Sequence, residues 1–378
     1  MIPNNIADEF DQCIKCGLCL ATCPIGKELF LEKYSPRGKI QLAKRYAAGD
    51  LDISEHYRDI FAKCLLCGAC SVTCPSGVKL TDVLVGMREE IVRKRGIHPN
   101  VEPAVQSLLV NHNISDEHNS ERGDWRDDIK ELPDHMYEKE RAEVVYFVGC
   151  VSSFFPMVQS IPQNMVRILD AADVDFTILA GEEWCCGFPL IGAGAPEKMG
   201  ELIEHNIEQV KGLGASKMVF SCPSCYRTWK EYYNTDLELF HSTQFIQRLI
   251  KEGTVSLGEL HETVTYHDPC DLGRNGDVFD APREVIESIP GLTLVELENN
   301  RAQSICCGGG GNLEMADSSL SGSIARNKLA EIQRTGAKTL VTSCQQCIRT
   351  IKGKVRREKV DLDVLDITDL VVRAMSDA

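Results

Sequence analysis

The chain has 378 residues, 43% hydrophobic and 26% charged, a composition that supports packed cores in two or three domains and excludes global disorder. Its 41 basic and 56 acidic side chains leave a net charge of −15, which argues against nucleic acid as the main partner and against a polybasic membrane patch. No apolar run approaches the roughly 18 residues of a spanning helix. Residues 1–11 are polar and acidic, so a soluble cytoplasmic chain is expected, touching a membrane only through a partner.

The first element is a cysteine run, CIKCGLCLATCP at 13–24, and it recurs as CLLCGACSVTCP at 64–75. Both read C-x2-C-x2-C-x3-C-P, the bacterial two-cluster spacing, in which three thiolates wrap one iron–sulfur cube and the fourth reaches the other. That assigns Cys13, Cys16, Cys19 and Cys74 to one [4Fe–4S] cubane, and Cys64, Cys67, Cys70 and Cys23 to a second. Structural zinc is the weaker reading, because zinc sites use paired C-x2-C halves. Between the runs, Ser35 to Ala48 reads as a helix, opening on Ser-Pro and closing before Gly49. Thr81 to Arg95 reads as another, with Leu84, Met87, Ile91 and Val92 on one face and Gly96 at its end. This helical filling resembles the ferredoxin domains of respiratory iron–sulfur subunits. Residues 98–142 are polar, broken by Pro99, Pro103 and Pro133, and read as a partly helical linker with a solvated acidic surface.

The remainder repeats. VVYFVGC (144–150) matches VTYHDPC (264–270), EEWCCGF (182–188) matches QSICCGG (303–309), and GASKMVFSCPSCYRTWK (214–230) matches GAKTLVTSCQQCIRTIK (336–352). Three landmarks in one order mark two copies of one module. Strands are expected at 144–148, 176–179, 217–220, 264–266, 292–297 and 339–341. Helices are expected at 163–171, 196–213, 282–289 and 324–336. The alternation predicts small parallel sheets, with each cysteine motif beyond a strand's carboxyl end. The fold class is therefore α+β and multidomain. A helical ferredoxin-type domain (1–97) and a linker (98–142) precede two tandem α/β modules (143–262 and 263–378).

Each module carries five cysteines: Cys150, Cys185, Cys186, Cys222 and Cys225, then Cys270, Cys306, Cys307, Cys344 and Cys347. With the eight ferredoxin positions these account for all 18. In an unsecreted chain such usage points to metal thiolates rather than disulfides. Adjacent cysteines suit neighbouring irons of a cluster better than one tetrahedral ion. Gly187 and Gly308 relieve the backbone beside each pair. The run Gly308–Gly311 strips side chains from one wall, for a bulky cluster or a substrate.

Two complete CCG motifs behind two ferredoxin motifs resemble the D-type subunits of heterodisulfide reductases across nearly the whole chain. The resemblance implies that each five-cysteine set holds a noncubane [4Fe–4S] cluster, and that the pair cleaves the disulfide joining coenzyme M to coenzyme B. The stretch SPRGKIQLAKR (35–45) also resembles the iron–sulfur subunits of glycolate and lactate oxidases. An electron-transfer subunit of a flavin-linked glycolate or D-lactate dehydrogenase is therefore the alternative. A non-redox assembly or metal-storage protein is a third reading.

Other residues carry two readings each. His267 is a candidate proton donor, as is Asp268, against capping or core hydrogen bonds. Arg227, Arg274 and Arg349 could meet small anionic thiol or disulfide coenzymes, or form structural salt bridges. Trp184 is read as packing rather than ligand contact. No G-x-G-x-x-G follows a strand and no P-loop is present, so neither flavin nor nicotinamide is expected. Electrons would come from a partner: a membrane cytochrome b subunit, a flavoprotein or a ferredoxin.

Overall fold

The structure is a computed structural model describing residues 4–129 and 138–376. Its N-terminal part is helical. Ser35 Oγ accepts the Gly38 amide at 3.0 Å and Pro36 fills the first turn, so the helix runs Pro36–Ala47. A second helix, Leu80–Arg95, buries Val83, Leu84, Met87 and Ile91. Two short helices, Leu18–Thr22 and Ala69–Val72, lie within the two cysteine runs and pack on each other. They bring the two runs side by side.

The repeated part forms two four-stranded parallel sheets. Strands β1 (Val144–Phe147), β2 (Phe176–Ile178), β3 (Lys217–Phe220) and β4 (Glu238–His241) lie in the order β2-β1-β3-β4. Strands β5 (Thr263–His267), β6 (Thr293–Glu296), β7 (Thr339–Thr342) and β8 (Asp363–Asp366) lie in the order β6-β5-β7-β8. The central strands are buried on both faces, as helix-covered parallel sheets require. Val145 pairs with Thr177 on one side and Met218 on the other; Thr265 pairs likewise with Val295 and Leu340. The switch in strand order falls beside the first strand of each sheet, where ligand crevices form.

The modules share a core. Helix Ser160–Ala171 packs on the C-terminal helix Ile367–Ser376, and Asn164 Nδ2 donates to Asp369 Oδ1 at 2.6 Å. Tyr146 hydroxyl bonds Ser221 Oγ in one sheet, and Tyr266 hydroxyl bonds Ser343 Oγ in the other, so the copies match in detail.

Several expectations shift. Strands β4 and β8 are additional to the expected ones; each is four residues long at a sheet edge, with few apolar residues to mark it. The helix expected at 196–213 divides into a 3-10 turn, Pro196–Met199, and a helix Gly200–Gly212. The helix expected at 324–336 starts earlier, at Ser318, because Asp317 caps the Leu320 amide at 2.9 Å. In the expected linker, Asp116, Glu117, Glu121, Asp124, Asp127 and Asp128 are exposed, but Arg122 and Trp125 turn into the core. Residues 130–137 of that stretch, with Pro133, lie outside the described residues. Among the described residues, no helix is long and apolar enough to cross a membrane.

One buried carboxyl gives a pH prediction. Asp366 is 1% exposed, and it accepts the Thr368 amide at 2.9 Å and hydroxyl at 2.8 Å. Burial, then the Asp369 charge, push its pKa up to about 7. A carboxyl raised in the folded state stabilises below its unfolded value, near 3.9, and loses that contribution as pH rises towards 7. The urea midpoint should therefore fall between pH 5 and pH 7. Asp366→Asn keeps the cap, and should remove this component and be the more stable protein at pH 8, by up to roughly 4 kcal/mol. Equal pH slopes for both proteins would refute the assignment.

Candidate iron–sulfur sites

None of the 18 cysteines is in a disulfide. Cys13, Cys16, Cys19 and Cys74 line one small cavity at the surface, with Cys16 exposed. Cys23, Cys64, Cys67 and Cys70 line another, further inside, with Cys67 buried. In each, three cysteines come from one run and the fourth from the other.

The inner set adjoins the second module. The thiols of Cys67 and Cys306 are neighbours. Arg274 Nε donates to the Cys67 carbonyl at 2.8 Å, and its Nη1 also reaches the Ser304 carbonyl. The glycine run 308–311 supplies part of the expected bare wall, since Gly309–Gly311 line the cavity described below. It has a second duty: a Cβ at Gly310 would sit 2.8 Å from the Leu65 carbonyl oxygen, and one at Gly311 closer still to that of Cys64. Only glycine lets the ferredoxin loop pack there.

In each module the five cysteines follow the carboxyl ends of three strands. Cys150 follows β1, Cys185 and Cys186 follow β2, and Cys222 and Cys225 follow β3. Cys270, Cys306, Cys307, Cys344 and Cys347 repeat this after β5, β6 and β7. Their thiol contacts form the same chain twice. Cys150 meets Cys185, Cys185 meets Cys186, Cys186 meets Cys225, and Cys225 meets Cys222. Cys270 meets Cys306, Cys306 meets Cys307, Cys307 meets Cys347, and Cys347 meets Cys344. Gly187 (φ +90°) and Gly308 (φ +103°) make the turn after each pair.

Both sets face one cavity of about 130 Å³, lined by every one of these ten cysteines except Cys306. Bonds across the module boundary hold its walls. Gln345 Nε2 donates to the Val148 carbonyl at 2.8 Å, and Ser224 Oγ donates to Asp271 Oδ2 at 2.6 Å.

Such thiols cannot all ionise unaided. Hydrogen bonds from Cys185 and Cys225 bring Cys186 down to about 6. Neighbouring thiols and burial push Cys150, Cys225 and Cys347 well above the usual thiol range. A buried, disulfide-free array of soft donors in mutual contact fits a polynuclear iron–sulfur group, which neutralises its thiolates.

The supporting groups separate clearly. His267 is fully buried, and its ring, Cys307 Sγ and Cys347 Sγ offer atoms within 4.8 Å of one another. Neither ring nitrogen has an N or O hydrogen-bond partner, and burial lowers its pKa. Asp268 instead grips Arg283 with both oxygens, at 2.7 and 2.9 Å, and is structural. Arg227 pairs with Asp271 and Glu231. Arg349 lines the cavity, 4.3 Å over the Phe155 ring and bonded to Glu314. Trp184 is stacked between His112 at 3.4 Å and His205 at 3.7 Å, and does not line the cavity.

Four charged residues that are not among the candidates read from the sequence matter here. Glu183 accepts the Val148 and Gly149 amides and Arg122 Nη1, at 2.7, 2.8 and 2.7 Å, and so shapes the loop before Cys150. Arg122 Nη2 also reaches Cys150 Sγ at 3.3 Å. Lys39 and Arg88 are buried beside the inner ferredoxin set. Arg88 lies four residues after Leu84 and three before Ile91, so a charge on an apolar stripe was the available signal.

The family described as CCG, a cysteine-rich domain, matches residues 144–230 and 264–352, and the 4Fe-4S dicluster domain matches residues 9–78. The D-type subunit of the dihydromethanophenazine:CoB–CoM heterodisulfide reductase of Methanosarcina acetivorans is 30% identical, over 97% of this chain and 94% of its own. A protein of Syntrophomonas wolfei named EtfAB:quinone oxidoreductase is 26% identical, over 97% of this chain and 58% of its own. A crystal structure described as a hypothetical protein from Helicobacter pylori shares the fold, with a TM-score of 0.61 at 10% identity, covering all of this chain and 74% of that one. By sequence, by its two tandem cysteine-rich modules and by the dicluster domain ahead of them, this chain belongs to the family of heterodisulfide reductase D-type iron–sulfur subunits, with [4Fe–4S] clusters as its cofactors.

Proposed function

We propose that the chain is the disulfide-reducing subunit of a heterodisulfide reductase, turning R–S–S–R′, two electrons and two protons into RSH and R′SH. The observation that carries this reading is the shared cavity, where one contact chain of five thiols occurs twice around a single space. We assign Cys13, Cys16, Cys19 and Cys74 to an outer cubane cluster, and Cys23, Cys64, Cys67 and Cys70 to an inner one. Each five-cysteine set is assigned a noncubane [4Fe–4S] cluster. When bound, such groups supply single electrons and iron that can hold a thiolate sulfur.

The chain's own residues bind and orient. Ile114, Val151, Phe188, Pro189 and Met315 give the cavity apolar walls that exclude water from the S–S bond. Arg349, held by Phe155 and Glu314, offers a cation to an anionic tail of a coenzyme M–coenzyme B type substrate. His267 is the candidate proton donor, on its place beside Cys307 and Cys347 and its lack of N or O partners. Electrons arrive from a membrane cytochrome b subunit, a flavoprotein or a ferredoxin at the exposed Cys16 face, where Ile14 and Leu18 are also exposed. The chain works in the cytoplasm, peripheral to the membrane through that partner.

A second reading, an electron relay serving a flavin-linked dehydrogenase, is favoured by the Syntrophomonas relative. Anaerobic purification and a reduced-viologen assay decide between them. The disulfide reading expects about 16 Fe per chain and viologen oxidation driven by the coenzyme heterodisulfide. About 16 Fe with no such oxidation, alongside glycolate- or lactate-driven reduction through a co-purifying flavoprotein, would establish the relay reading instead.

A further inference from the structure

Burying a charge without a partner is costly, and four of the six buried cations among the described residues have a carboxylate. Arg122 pairs with Glu183, Arg283 with Asp268 and Glu296, Lys328 with Glu331, and Lys354 with Glu358. The other two, and the half-buried Arg274, depart from this rule. Lys39, 2% exposed, donates Nζ to the Lys63 carbonyl at 2.5 Å. Arg88, 5% exposed, makes five hydrogen bonds, all of them to backbone carbonyls. Arg274 donates to the carbonyls of Cys67, Ala302 and Ser304, and its Nη2 is buried with no N or O partner. Among the described residues, none of the three has a carboxylate partner.

All three converge on one place. Lys39 lines the inner cavity together with Cys23, Cys64, Cys67 and Cys70; Arg88 donates to the Cys64 carbonyl; Arg274 donates to the Cys67 carbonyl. The outer set differs. Two cations line it: Lys15 is exposed to solvent, and Arg37 is partly exposed and already neutralised by both oxygens of Glu32, at 2.7 and 3.1 Å. Reducing a cluster adds one negative charge, and an unneutralised cation in a dry interior favours that added charge far more than one at the surface.

We propose that Lys39, Arg88 and Arg274 are the counter-charge of the inner cubane cluster and hold its reduction potential above that of the outer one. Electrons then run downhill from the exposed Cys16 face to the Cys67–Cys306 junction, and so reach the second cysteine-rich module before the first. The inference rests on the ligand assignment proposed above, but not on which disulfide is cleaved.

The test is EPR-monitored redox potentiometry of the full chain, reconstituted anaerobically, with no substrate or donor protein present. In Lys39→Met the higher of the two ferredoxin-type potentials should move to more negative values while the lower stays put. Lys39→Arg, which keeps the charge, should leave both unchanged. Where Lys39→Met does not take up iron, Arg274→Met against Arg274→Lys is read by the same criterion. Unmoved potentials in the charge-removing variants, or movement of the lower potential instead, would overturn the proposal. A wild-type chain showing no pair of ferredoxin-type signals would overturn the ligand assignment itself, and this ordering with it.

Discussion

Arg88→Met should open the junction between the ferredoxin part and both cysteine-rich modules. The guanidinium reaches Phe61, Ala62 and Cys64 carbonyls at 3.1, 3.0 and 2.8 Å, then Gly192 at 2.6 Å in the first module and Gly311 at 2.9 Å in the second. One buried side chain therefore ties three parts of the chain. Methionine fills similar volume but donates nothing, so five buried carbonyls lose a donor. At about 1–3 kcal/mol for each group left unsatisfied, with partial relaxation, the loss is on the order of 5 kcal/mol. That rivals the whole stability of an ordinary domain. Arg88→Lys should recover part of it, because three donors on a tetrahedral head cannot serve five carbonyls spread in a plane. Urea unfolding, iron content and limited proteolysis between residues 95 and 120 read the effect. A variant with wild-type midpoint and full iron would show that the junction is held by apolar packing instead.

Glu183→Ala should cost about 3–5 kcal/mol, the usual penalty for stranding one half of a buried ion pair. Arg122 and Glu183 side chains are each 1% exposed, so the stranded guanidinium has no water to turn to. The damage is local as well as global. Without the carboxylate, the Val148 and Gly149 amides lose their acceptor, and the loop that delivers Cys150 loses its shape. Gly149 sits at φ +82°, a conformation the two bonds help to fix. The second module holds its equivalent loop through a different pair, Asp268 with Arg283. Loss of iron should therefore be confined to the first five-cysteine set, with the ferredoxin-type EPR signals unchanged. Equal loss from both modules would show that they take up iron as one unit.

The chemistry of this chain is local in sequence. Cysteines separated by two or three residues are spaced by the size of what they bind, so Cys13 to Cys23 and Cys64 to Cys74 announce themselves. The repeat is equally plain, since three landmarks recur in one order, and short β-branched runs such as VVYF and TLVT can be little but buried strands. Edge strands β4 and β8 escaped because an edge needs few apolar residues. Arg122 and Trp125 escaped because acidic neighbours hid them in what reads as a solvated stretch.

Tertiary structure alone decided the relations between these parts. It seats the inner ferredoxin set against the second module rather than the first, through Cys67 and Cys306, 239 residues apart, and it turns Lys39 and Arg88 inward without carboxylates. It also closes both five-cysteine sets around one cavity, through Gln345 on Val148 and Ser224 on Asp271. The physical reason is range. Periodicity and motif spacing report contacts a few residues apart, whereas the burial of a charge and the meeting of two thiols depend on which surfaces pack, and that is settled only when the whole chain has folded.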